Sequence, residues 1–311
     1  VGSEMCIRDR RAAMQLKTYD YNKLAQEALK DHRKARGYNL RLFLRKKLAV
    51  FSTLVLIIII VSAIFAPWVA PYPEQGKGAT NLEERLQPFS IKHFLGTDIY
   101  GRDLLSRVIF GARVSVFGGF FIVLMAALIG VPLGLWAGYR EGVSGAIIMR
   151  TVELVLSFPT ALVAMAVAVV IGAGTMTALI ALVIPWWPWY TRLVQGEVLS
   201  LKNMLYIEAA QMLGYGRIYI LLRHLLPNIL GPVIVMMLLD VGPAIIAIGV
   251  LSFLGLGTQP PNADWGLMVW NGAQNLLGEW WIAIVPGFAM FLLVTAFNIF
   301  GDSLKEILDP N

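Results

Sequence analysis

Six apolar runs separated by polar stretches dominate the hydropathy pattern of the chain, at 48–70, 114–138, 152–171, 176–190, 229–250 and 281–300. About 20 apolar residues in a helix cross the roughly 30 Å hydrocarbon layer of a membrane. Lipid offers no water to satisfy exposed backbone, so the pattern predicts an all-α, polytopic membrane protein with six transmembrane helices. In the second run Gly130, Gly134 and Gly138 recur every four residues, which predicts a face of small residues for close helix packing. The third run carries Ser157-Phe158-Pro159 near its start, and the fourth is short and interrupted by Pro185 and Pro188 among three tryptophans. Those prolines predict an irregular helix end at the membrane interface.

The polar stretch 200–228 predicts an elbow between the fourth and fifth runs. Asn203 is placed as an N-cap, and 204–213 contains only residues that a helix tolerates. Gly214 stands where a helix ends in the left-handed conformation, and Gly216 adds freedom to turn. A second helix is expected from Arg217 until Pro227 disturbs it. Glu208, Ala209 and Ala210 then fall on the outer part of the elbow, where two small side chains permit close approach and one carboxylate offers a partner for a cation.

Composition agrees with the pattern: 57% of residues are hydrophobic and 15% charged, so this is not the profile of a soluble domain. The net charge of +6 does not point to nucleic acid, because the basic residues crowd one end. Placing the N-terminus inside puts 20 Lys and Arg in the tail, the inner loops and the elbow, against 5 in the outer loops. The positive-inside rule then predicts that both termini and the elbow are cytoplasmic. The basic residues of 14–47 also suit a juxtamembrane segment resting on anionic lipid. Segment 1–13 resembles translated sequencing-adapter read-through, with Met14 expected as the start. A single cysteine, Cys6, allows no disulfide within the chain, and the scattered His32, His93 and His224 predict no metal site. The chain has no phosphate-cradling Gly-x-x-x-x-Gly-Lys loop, no His-Glu-x-x-His and no Gly-x-Ser-x-Gly, so no enzyme activity is expected.

Glu208-Ala209-Ala210, then Gly214 and Leu226-Pro227, resemble the EAA loop of ABC importer permeases. His224 departs from the apolar residue that the family carries at that point. Gly96-Thr97-Asp98 with Gly101-Arg102-Asp103, Ser157-Phe158-Pro159 and Leu251 to Gly257 are similar to the dipeptide and oligopeptide branch, and to its C-type subunit. The resemblance implies that Glu208, Ala209, Ala210, Gly214, Leu226 and Pro227 couple this chain to a cytoplasmic ATPase. It further implies a second homologous permease, an extracytoplasmic substrate-binding protein, and ATP and Mg held by the partners, with no cofactor in this chain. On this reading 14–47 is a cytoplasmic basic segment and 48–70 the first span. An extracytoplasmic segment occupies 71–112, the permease domain 113–303 with its EAA loop at 200–228, and a cytoplasmic tail 304–311. The expected function is half of the translocation path of an importer for di- or oligopeptides in a bacterial or archaeal inner membrane. Nickel, glutathione and oligosaccharide importers share the motifs. A secondary transporter is the rival class, but it predicts internal repeats and several mid-membrane ionisable residues. Only Asp240 lies centrally in a run, and it is expected to face the interior or a water-filled path, as a candidate for receiving a peptide's amino terminus. The connector 258–279, with no Lys or Arg and with Trp265 and Trp270 expected to be exposed, should face outward.

Overall fold

The computed structural model describes residues 43–140 and 142–308. Segment 1–13, nearly all of 14–47 and the end of the tail lie outside the described residues. The chain divides into units 1–50 and 51–311. In the first, the Lys46 N–H donates to the Phe43 carbonyl as helix α1 (Lys47–Ile64) begins.

After α1 come two short helices, α2 (Ala66–Val69) and α3 (Pro73–Lys77), and then a single 36-residue helix, α4 (Leu104–Tyr139). At 1.5 Å per residue α4 is roughly 54 Å long, well beyond the hydrocarbon thickness. It starts ten residues before the apolar run because the Asp103 carboxylate caps it, accepting from the Ser106 N–H at 2.8 Å. The expected third span is two helices, α5 (Val143–Leu156) and α6 (Thr160–Ile171), bent 89° across Ser157-Phe158-Pro159. The residue before a proline avoids the helical region, which ends α5 there.

The fourth run corrects the sequence expectation most. Helix α7 (Thr175–Leu201) passes through Pro185 and Pro188 for 27 residues without ending. Each proline removes one intrahelical donor, but α7 is walled by neighbours that hold its course. Leu182, Pro185, Pro188 and Tyr190 are all buried, and the Thr191 hydroxyl lies 3.2 Å from the carbonyls of both Gly130 and Trp187. The glycine face of α4 makes this packing: a β-carbon on Gly130 would stand 2.5 Å from the Trp187 oxygen, and one on Gly134 2.6 Å from the Thr191 oxygen. The two backbones touch there, as the four-residue spacing predicts.

Helix α8 (Leu205–Met212) forms the elbow, followed by α9 (Arg217–Ile220), a π-helical turn (Leu221–Leu225) and α10 (Leu226–Phe253). Pro227 does not end this helix. The missing N–H is absorbed by the widened turn just before it, where the Leu226 N–H reaches back to the Leu221 carbonyl. Connector 258–279 contains α11 (Trp265–Ala273), and α12 (Trp281–Leu308) closes the described chain. No strand occurs among the described residues.

By length and composition, four helical stretches suit a membrane crossing, Lys47–Ile64, Leu104–Tyr139, Arg217–Phe253 and Trp281–Glu306, and the bent α5–α6 pair makes a fifth. Six is not reached on that criterion, because α7, with Pro185, Pro188, its tryptophans and its polar C-terminal part, is not among those stretches. One apolar core joins Ile122 of α4, Leu182 of α7, Ile245 and Ile248 of α10 and Trp265 of α11. A second core, beneath the elbow, gathers Leu135, Val194, Val198, Ile207 and Leu225.

Candidate functional site

The elbow is built on the second core. Ile207 and Ala210, three residues apart and so on one face of α8, are both buried, leaving Glu208 and Ala209 exposed. Ala210 is thus not on the outer part, where the sequence reading puts it, but is the point that seats the helix. The N-cap also differs: Met204, in extended conformation, opens α8, and its carbonyl accepts from the N–H groups of Ile207 and Glu208. Asn203 lies in the turn before it.

The end of α8 follows the expectation. Gly214 has φ +79, its N–H donates to Gln211 at 3.0 Å, and the Tyr215 N–H donates to Ala210 at 3.2 Å. That is the Schellman pattern, which ties the last carbonyls of a helix to the two residues beyond it. Nothing lies within 4 Å of the place a Gly214 β-carbon would take. Beyond the turn, the Tyr215 and Tyr219 rings stack at 4.6 Å, and His224, where an apolar residue was expected, packs edge-on to Tyr219 at 5.6 Å. Leu226 is half-buried and Pro227 exposed. Glu208 lines a polar depression of about 710 Å³ with Arg140, Lys202, Gln211, Tyr215 and Arg217.

At the other end of α4 and α7, the motif from Gly96 to Arg107 is largely buried. The Arg102 guanidinium donates to Asp98 at 2.7 Å, and His93 sets its two ring nitrogens 2.9 Å from Asp103 and 3.2 Å from Glu84. The Lys92 ammonium beside Glu84 holds that carboxyl below its usual range. Arg107 donates to the carbonyls of Pro261 and Asn262 at 2.7 and 3.0 Å, and the Trp265 indole N–H to Val108 at 2.9 Å. These bonds pin connector 258–279 to α4. They also explain why Trp265, expected to be exposed, is buried, while Trp270 is half open. Asp264 caps α11 through the Leu267 N–H at 3.0 Å, and burial pushes its carboxyl above the usual range.

Asp240 sits at the midpoint of α10. Its Oδ2 accepts from the Tyr190 hydroxyl at 2.9 Å and the Trp186 indole N–H at 3.3 Å, both on α7. It borders a cavity of about 410 Å³ between α6, α7 and α10. Sequence reading found Asp240 but not its donors. Their signal is the Trp186-Trp187-Pro188-Trp189-Tyr190 run, which the sequence pattern places at the membrane interface instead. The elbow residues and Asp240 belong to separate places: the first lie at one end of α7, the second halfway along it. No group of three His, Cys, Asp or Glu suited to a metal occurs among the described residues.

The family described as "Binding-protein-dependent transport system inner membrane component" matches residues 130–311, and "N-terminal TM domain of oligopeptide transport permease C" matches 38–88. A "Probable D,D-dipeptide transport system permease protein DdpC" of Escherichia coli K12 is 39% identical, covering 85% of this chain and 87% of its own. A glutathione transport system permease protein GsiD of Pectobacterium atrosepticum is 39% identical over 87% and 89%. Among solved structures, the inward-facing MetNI methionine ABC transporter aligns with a TM-score of 0.54 at 17% identity, over 66% of this chain and 98% of that one. At that identity the likeness concerns the fold.

Proposed function

We propose a peptide importer, from the premise that this chain belongs to the family of binding-protein-dependent transport system inner membrane components and is an ABC importer permease. It is a transport subunit and not an enzyme. Di- or oligopeptides are the proposed cargo, supported by relatives named for D,D-dipeptide and glutathione transport. In this reading the chain pairs with a second homologous permease and receives cargo from an extracytoplasmic binding protein. Cytoplasmic ATPase subunits, which hold the ATP and Mg, drive it through the elbow.

The observation that carries the proposal is the elbow's geometry. Helix α8 is seated by Ile207 and Ala210, ended by Gly214, and presents Glu208 and Ala209 to whatever docks there. A rigid, small-residue surface transmits a push; a loose loop does not. Leu226 and Pro227 continue it into α10 through the π turn, so displacement of α8 bears directly on the helix that carries Asp240. The asymmetry of 20 against 5 Lys and Arg supports a cytoplasmic elbow and termini in an inner membrane. Helix α7 serves as the sixth crossing on this reading, shielded by its neighbours despite its polar residues.

The test is uptake of labelled alanyl-alanine by cells expressing the complete transporter. Uptake should stop on ATP depletion and survive a protonophore. The reverse result would make the chain a secondary transporter and end the proposal. Cross-linking from Ala209→Cys to a cysteine-bearing ATPase subunit should succeed, and failure across the accessible face of α8 would remove the elbow from the coupling.

A further inference from the structure

The Asp240 carboxylate faces an imbalance that the fold does not resolve. Its cavity is walled by Thr160 and Ala161 of α6, Trp186 and Trp189 of α7, and Met236 and Val250 of α10, with no cation in the lining. Helices α6 and α10 contain no Lys, Arg or His, and the one cation of α7, Arg192, is exposed and does not border the cavity. An ionisable group at this depth costs roughly 2.5 to 3.5 kcal/mol on insertion scales and is retained where it serves a pathway or a partner. Two neutral donors on Oδ2 orient the carboxylate without balancing its charge.

We infer that this cavity is a subsite for the primary ammonium group of the transported molecule, an inference that rests on the permease reading above. Oδ2 is committed to Tyr190 and Trp186, and no described residue donates to Oδ1. A guanidinium wants both oxygens of a carboxylate for its parallel fork, whereas an ammonium is a compact point charge that one oxygen satisfies. A hard metal cation needs six or more oxygen ligands, and the wall offers one carboxylate among apolar groups. Indole, present twice in the wall, is the side chain that attracts a cation best. The volume of about 410 Å³ falls in the range of small-molecule sites, with room for the apolar body that follows an amino terminus. The carboxylate therefore selects cargo with a free amine over the same cargo acylated.

The experiment uses the assembled transporter containing the full chain, in nanodiscs without nucleotide or binding protein. Binding of labelled alanyl-alanine and of N-acetyl-alanyl-alanine is measured by equilibrium dialysis. The native protein should bind the free amine at least ten-fold more tightly. Asp240→Asn should bind both probes equally, and Asp240→Glu should recover part of the preference. Equal binding by the native protein, or a preference that survives in Asp240→Asn, overturns the subsite. Should Asp240→Asn fail to assemble, Asp240→Glu takes its place, and a preference as large as the native one in that variant overturns the subsite. Uptake that proves independent of ATP would instead count against the importer reading, so the two failures are distinct.

Discussion

Gly214 separates two uses of glycine that a sequence alone does not distinguish. Its β-carbon site is open, so a substitution there meets no clash, and the whole penalty comes from the left-handed backbone at φ +79. That penalty is roughly 1 to 2 kcal/mol for a residue with a β-carbon. It is too small to unfold the chain and large enough to swing α8 off a docking partner. Gly214→Val should therefore insert at normal abundance while losing most uptake and co-purification of the ATPase, and Gly214→Asn, which tolerates the left-handed region, should lose less. Normal uptake by Gly214→Val would remove the turn from the mechanism. Glu208→Ala should act in the same direction more weakly, since an exposed ion pair is worth at most about 1 kcal/mol. Gly214 was legible from its place directly after 204–213, a stretch that holds only residues a helix tolerates. The inward turn of Ala210 was not, because which face of an eight-residue helix is buried depends on the residues waiting beneath it.

At the level of elements, the glycine row of α4 is the counterpart. A β-carbon on Gly134 would stand 2.6 Å from the backbone oxygen of Thr191, and backbone has no rotamer by which to yield. Gly134→Ala should force α4 and α7 apart at about 1 to 3 kcal/mol, read as lower melting temperature and lower membrane abundance. This is the opposite signature to Gly214→Val, and an unchanged melting temperature would refute the close contact. The cap of α11 offers a finer test. Asp264→Ala removes the acceptor for the Leu267 N–H and should cost about 0.5 to 2 kcal/mol. Asp264→Asn keeps an acceptor and removes a carboxylate that burial already disfavours, so it should be close to neutral in thermal unfolding. If the two variants prove equally destabilised, charge rather than capping is what Asp264 supplies.

For the whole molecule, the expected outcome concerns the pole opposite the elbow. Arg107 holds connector 258–279 by two carbonyls, a fork that lysine does not reproduce. Arg107→Lys should leave the helices intact and raise hydrogen exchange across 258–264 at least ten-fold, and unchanged protection would show that Trp265 alone anchors the connector. Asn262 is exposed on that connector, so Asn262→Cys should react with an impermeant thiol reagent from outside the cell. Reaction only from the cytoplasmic side would reverse the proposed orientation.

The division between sequence and structure follows from the range of the forces involved. Apolar runs, glycine spacing and the Glu-Ala-Ala elbow are local patterns, and lipid makes them unusually decisive because every spanning segment must satisfy its own backbone. They determined the helical class, the glycine face and the position of the elbow. Whether Pro185 and Pro188 end a helix, whether Trp265 is exposed, and which groups meet Asp240 depended on neighbours distant in the chain. Pro185 and Pro188 stay helical because α4 is pressed against α7; Trp265 is buried because Val108 and α4 lie over it; Asp240 is oriented by a tyrosine fifty residues earlier. Only packing brings such residues together, so only the tertiary structure decided them.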